Sequence, residues 1–340
     1  MLEKKLGKQT VKLQKPPTIA ATASIVGPKE GKGPLANYFD QTLDDELWGE
    51  KSWEKAESKL IREALAKTAD KASISVSGLD YILAGDLLNQ CIAASFGLRE
   101  SGVPLFGVYG ACSTMGESMS LGAILIDGGF AANVMCMTSS HFCSAEKQFR
   151  YPLELGTQRP PTAQWTVTGA GSVLLSLEGS GPFITKITTG KIVDMGIKDQ
   201  NNMGAAMAPA AADTIFAHFE DTGLPKDYYD MVVTGDLGKV GSEILDDLLS
   251  SNGVRIGGIL NDCGLMIFDK TQDAHAGGSG CGCSATVFAG FLYNRLKNGK
   301  INKLLFVPTG ALLSPTSVQQ GETIPCIAHA LAIETGLAEH

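Results

Sequence analysis

The chain has 340 residues, 44% of them hydrophobic and 19% charged, enough to bury a large core as one big unit or two smaller ones. A net charge of −8, with no aromatic-basic patch, argues against nucleic acid as the main partner. The longest apolar stretch, 121–137, is broken by Asp127, Gly128, Gly129 and Asn133, short of the roughly 20 residues a membrane span needs.

No apolar core of a signal peptide follows Met1. Residues 1–17 carry Lys4, Lys5, Lys8, Lys12 and Lys15 and read as a solvated tail, with contact to an anionic membrane surface as the other reading. The eight cysteines are scattered, which points to a reduced, intracellular protein instead of a disulfide scaffold. Residues 18–26 read as a strand and 27–34 as a loop. A helix is expected over 52–69, with Ser52 as its N-cap. Trp53, Ala56, Leu60, Ala64 and Leu65 form its apolar stripe, and Lys and Glu take the other face. After a strand over 80–87, the apolar run 103–109 reads as a buried strand leading to Gly110-Ala111-Cys112-Ser113-Thr114 and a buried helix over 113–126. A cysteine at such a turn meets free backbone N–H groups and the positive end of the helix dipole. That position lowers a thiol pKa or holds an anion.

The second half repeats the unit. A helix over 211–219 and a strand over 230–237 follow, and aligning Asp80 with Asp230 also pairs Gly85 with Gly235, Asp86 with Asp236 and Leu87 with Leu237. Placing Cys112-Ser113 on Cys283-Ser284 puts Gly128 on Gly299 and Thr138 on Thr309 without a gap. Two ordered blocks of this kind indicate an internal duplication. The expected organisation is an N-terminal half, 1–180, and a C-terminal half, 181–340, about a pseudo-twofold axis.

This plan, with a cysteine at the start of a buried helix in the first half, resembles the thiolase and ketoacyl-synthase superfamily. Gly169-Ala170-Gly171-Ser172-Val173-Leu174-Leu175 is similar to the strand closing that superfamily's first half, and Thr309-Gly310-Ala311-Leu312-Leu313-Ser314 to the last strand and loop of its second. The resemblance implies a thiolase-like α/β fold in αβαβα layers and a homodimer. Within the superfamily, Gly85-Asp86-Leu87-Leu88-Asn89-Gln90, Ser139-Ser140-His141, Gln148-Phe149-Arg150-Tyr151-Pro152, the run 207–214 and Glu322-Thr323-Ile324-Pro325 resemble the stage V sporulation protein AD family. That resemblance implies binding of dipicolinic acid, a flat dianion, for uptake into the forespore and release on germination. It also implies a peripheral place at the inner membrane of the developing spore, beside membrane-embedded subunits.

A condensing enzyme needs a thiolate, His or Asn groups to manage protons, and N–H donors for an oxyanion. Cys112 stands where the superfamily keeps its nucleophile. The partner loops depart from the pattern: the expected His is replaced in Gly235-Asp236-Leu237-Gly238, and the run 277–283 has no imidazole or amide side chain. An aspartate beside Cys112 raises the thiol pKa, the reverse of activation. The expectation is therefore a binding protein and not an enzyme. Its ligand site would draw on Cys112, Ser113, Thr114, His141, Asp236, Ser279, Gly280 and Cys281. The alternative is an acyl-transferring condensing enzyme using Cys112 with His141, and a third reading is a structural subunit with a vestigial pocket. Of the other histidines, His329 lies in a segment that could reach the pocket.

Plain readings stand beside these. Ser113 and Thr114 suit helix capping, and Asp86 and Asp236 suit strand-end turns or N-caps. Cys281 and Cys283, with Cys263 upstream, lack the spacing of a zinc site, so no metal site and no cofactor are expected. Calcium is expected only with the ligand. The run 207–212 is a tightly packed helix or a contact surface, and Arg150 faces an anion or pairs with a carboxylate.

Overall fold

A computed structural model of the chain describes residues 4–149 and 159–337. The first half supplies strands β1 (Thr10–Lys12), β2 (Thr18–Val26), β3 (Gln41–Thr42), β4 (Tyr81–Asp86), β5 (Leu105–Gly107), β6 (Asn133–Ser140), β7 (Trp165–Thr166) and β8 (Gly169–Ser176). Its helices are α1 (Trp53–Ala72), α2 (Ile92–Leu98), α3 (Thr114–Asp127) and α4 (Phe142–Phe149). The second half supplies β9 (Phe183–Thr188), β10 (Met231–Thr234), β11 (Leu260–Asp262), β12 (Gly278–Ser279), β13 (Lys303–Val307), β14 (Thr309–Ala311), β15 (Cys326–Ala328) and β16 (Ala330–Glu334). With them come α5 (Met203–Thr222), α6 (Gly238–Ser251), α7 (Cys263–Ile267) and α8 (Cys281–Val287), the last continuing through a π-turn into α9 (Tyr293–Lys297).

Hydrogen bonding orders the main strands β11-β10-β13-β16-β9-β2-β8-β6-β4-β5. The order is a palindrome. From the middle outward, β2, β8, β6, β4 and β5 are answered by β9, β16, β13, β10 and β11. The directions match too: β4 is parallel to β5 and β6, and β10 is parallel to β11 and β13. The two sets meet at one antiparallel pairing, Thr18 with Phe183. The aligned aspartates explain part of the repeat. Asp80 accepts the N–H groups of Ala132 and Asn133 at 2.7 and 2.9 Å, and Asp230 accepts those of Asn302 and Lys303 at the same two distances. Each carboxylate therefore fixes the start of the neighbouring parallel strand.

Side-chain alternation distributes the strands between layers. Leu83, Val173, Leu304 and Leu331 face a central core with Met115 and Met119 of α3 and Cys283 and Val287 of α8. Ile82, Met135 and Leu174 face an outer core under α1 and α2, and Val232, Leu305 and Ala332 face the opposite outer core under α5 and α6. This is the αβαβα layering.

Three expectations are corrected. The lysine-rich tail is not a solvated end: β1 pairs with β9, Asp221 accepts the N–H groups of Lys8, Gln9 and Thr10, and Asp127 accepts those of Gln14 and Lys15 while pairing with Lys4 at 2.7 Å. β5 is an edge strand and not a buried one, with Leu105 and Phe106 41% and 49% exposed. In α1, capped by the Ser52 hydroxyl accepting from Lys55 N–H, Glu57 lies on the buried face with Leu60 and Ile61. The run 207–212 packs inside α5 with every residue but Pro209 buried.

Candidate functional site

β5 runs into Gly110-Ala111-Cys112, where Ala111 takes a left-handed φ of 50°, a conformation that non-glycine residues adopt at a cost and that gathers at functional sites. The turn is held by its own hydroxyls. Ser113 Oγ donates to Gly110 O at 2.6 Å, and Thr114 Oγ1 donates to Ala111 O at 2.6 Å while accepting from Gly110 N–H. Both side chains are fully buried and engaged in the turn, and neither caps an N–H group of α3. The second half approaches closely here: a Cβ on Gly310 would stand 2.1 Å from Gly110 O, so only glycine fits.

Asp236, at the end of β10, is fully buried behind Cys112. Its Oδ1 accepts from Thr309 Oγ1 at 3.0 Å and its Oδ2 from Ser279 Oγ at 3.1 Å and Gly280 N–H at 2.9 Å, and the Cys112 thiol lies close enough to feel its charge. Burial pushes the carboxyl up to about 7, against the pull of these donors. Cys112 is raised well above the ordinary thiol value, first by burial and then by Asp236. The thiol stays protonated. Asp86, at the equivalent strand end, instead accepts from Leu88 and Ala94 N–H groups of its own turn and helix, the plain reading.

The remaining candidates scatter. His141 Nδ1 accepts from Cys143 N–H, which leaves Nε2 as the donor to Glu46 O at 2.8 Å, so both ring nitrogens are engaged away from Cys112. Burial holds its pKa below the usual value. His329 Nδ1 accepts from Gly190 N–H, and burial lowers it to about 4. Cys281 donates its S–H to Ser139 O, and Cys283 to Gly235 O. Among the described residues no three His, Cys, Asp or Glu side chains are placed to hold a metal ion. Arg150 lies outside the described residues.

Over Cys112 and Ser279 opens a narrow pocket of about 50 Å³. Leu87, Ala145, Phe149, Met203, Ala311 and Leu313 form apolar walls, and Tyr109, Glu146, Thr166 and Gln200 add polar groups. Sequence reasoning missed the wall from α4 and α5, because these residues meet only in three dimensions and the motif that holds Phe149 does not say where its ring lies. It also missed Glu57, which accepts from Ser139 and Ser144 hydroxyls and is raised by burial and by the negative charge of Asp86. Glu57 sits beside Ala56 in the apolar stripe, and that register was the available signal.

A sequence model of the family described as stage V sporulation protein AD matches residues 7–334. The chain belongs to the stage V sporulation protein AD family. It is 46% identical over 328 residues, 96% of this chain and 97% of the other, to the stage V sporulation protein AD of Bacillus subtilis (strain 168). The fold is that of condensing enzymes. The 3-oxoacyl-[acyl-carrier-protein] synthase III of Aquifex aeolicus VF5 superposes with a TM-score of 0.57 at 14% identity, covering 94% of this chain and 99% of that one. A crystal structure of OleA from Xanthomonas campestris gives 0.59 at 14%, covering 95% and 99%. Among the described residues of this family member, no helix is long and apolar enough to cross a membrane.

Proposed function

We propose that this sporulation protein binds dipicolinic acid without catalysis, free or as its calcium chelate, for uptake into the forespore and release on germination. The observation that carries the reading is the Cys112–Asp236 pair. Acyl transfer needs a thiolate beside a base, and here burial and a neighbouring carboxyl keep the thiol protonated. What remains is a pocket with a neutral floor and apolar walls, a slot for a flat ring. Among the described residues its lining holds no Lys or Arg and one carboxylate, Glu146.

In this proposal the protein is peripheral and intracellular, at the inner membrane of the developing spore, and membrane-embedded subunits provide the path across the bilayer. It works as a homodimer. Support for the dimer comes from the apolar side chains around the edge strand β5: Ile92 and Phe96 from α2, Leu105 and Phe106 from β5, Leu121 and Ile124 from α3, all more than a third exposed. A second copy pairing edge to edge would cover them and the unpaired backbone groups together.

Calorimetric titration tests the ligand. Saturable heat with dipicolinate is expected, stronger with equimolar calcium, and Cys112→Ala should weaken binding only a few-fold. No heat at millimolar dipicolinate, with or without calcium, would overturn the reading, as would a stable acyl adduct on Cys112 after exposure to acyl-coenzyme A thioesters.

A further inference from the structure

The duplication sets up a comparison inside the molecule. Asp86 and Asp236 end equivalent strands, yet Asp86 bonds only its own turn and helix. Asp236 bonds other elements instead. Its donors come from β14 (Thr309) and from the turn before α8 (Ser279 and Gly280), and Cys112, before α3, stands beside it. Cys112 and Ser279 also line the pocket floor. Hydroxyl and N–H donors converging on one point make a cradle for a carboxylate. Asp236 already fills it.

We propose that Asp236 is the resident competitor of an anionic ligand: a ligand carboxylate seated on Cys112 and Ser279 takes over these donors, and Asp236 takes up one proton from solvent as it releases them. The inference rests on reading the pocket as a dipicolinate site and states how that site selects the charge of what it binds. Two carboxylates that share donors in a buried site do not both stay ionised. No covalent bond changes, and the proton passes from water to an Asp236 oxygen. The titratable groups facing Asp236 are Asp262 at the end of β11, Cys263 on α7, Cys283 on α8, Cys112 before α3 and Cys326 on β15. None of them brings a positive charge. Asp236 titrates at about 7 in the empty site. Below that pH it is already protonated and the dianion enters without exchange. Above it, each bound dianion must bring one proton.

The test is calorimetry of sodium dipicolinate with the full chain, in chelator, in two buffers of different ionisation enthalpy from pH 6 to 9. Proton uptake near one per ligand is expected at pH 8 to 9 and well below one at pH 6, with affinity falling about tenfold per pH unit above pH 7. Asp236→Asn should remove both the uptake and the pH slope. Should that variant fail to fold, Thr309→Val, which removes a donor to the carboxylate, should move the midpoint to higher pH. Heat without proton uptake, or a slope that survives in Asp236→Asn, overturns this inference and leaves the binding reading standing. No heat at any pH, with or without calcium, overturns both.

Discussion

At the scale of single residues, the chemistry turns on which group faces Cys112. A cysteine before a buried helix is activated when a base or cation stands beside it. Here the neighbour is a buried carboxyl, which together with burial holds the thiol protonated. Alkylation of Cys112 by iodoacetamide at pH 8, read by mass spectrometry, should therefore run at least tenfold slower than that of a free cysteine. Asp236→Asn removes the like charge and should speed it. Rapid labelling of the unaltered protein would mean a thiolate is present and would revive an acyl-transfer role. Ser113 and Thr114 teach a complementary point. Their hydroxyls look available in sequence, but each closes back on the Gly110–Ala111 turn, so their part is to shape the floor of the pocket.

At the scale of elements, the N-terminal arm departs most from its sequence. Five lysines in seventeen residues suggest a tail in water, and what holds it down is distant acceptors. Asp221, at the end of α5, accepts three consecutive backbone N–H groups, and Asp127, at the end of α3, accepts two more and the Lys4 ammonium. Asp221→Ala leaves three donors without that acceptor. A loss of about 2 kcal/mol is expected by urea denaturation, with earlier proteolysis within residues 4–12. Unchanged stability and cleavage would show that the β1–β9 pairing alone holds the arm. The edge strand β5 carries the same lesson. Its apolar run matches a central strand in composition, but nothing in the run records that its outer side lacks a partner.

At the scale of the molecule, duplication organises the architecture and its breakdown makes the site. The palindromic strand order puts the starts of α3 and α8 at one junction, and the two halves differ there: Asp86 caps locally, while Asp236 draws donors from β14 and from the turn before α8 and stands beside Cys112 of the first half. The same architecture leaves the β5 edge open on one flank. Phe106→Lys, a surface change distant from the pocket floor, should convert a dimer to a monomer in sedimentation while leaving the circular dichroism spectrum intact. A wild-type chain that sediments as a monomer at micromolar concentration would remove the dimer from the proposal.

The sequence by itself determined the fold class, the repeat and the place of Cys112, because these rest on local periodicity, glycine turns and matched spacing. It also signalled that Asp236 replaces an expected histidine. Only the tertiary structure decided that Asp236 gathers donors from two separate segments, that His141 turns to Glu46 O instead of Cys112, and that Phe149 and Met203 wall the pocket. Those facts depend on contacts between residues far apart in the chain, where direction and distance are set by packing, and no local pattern records them.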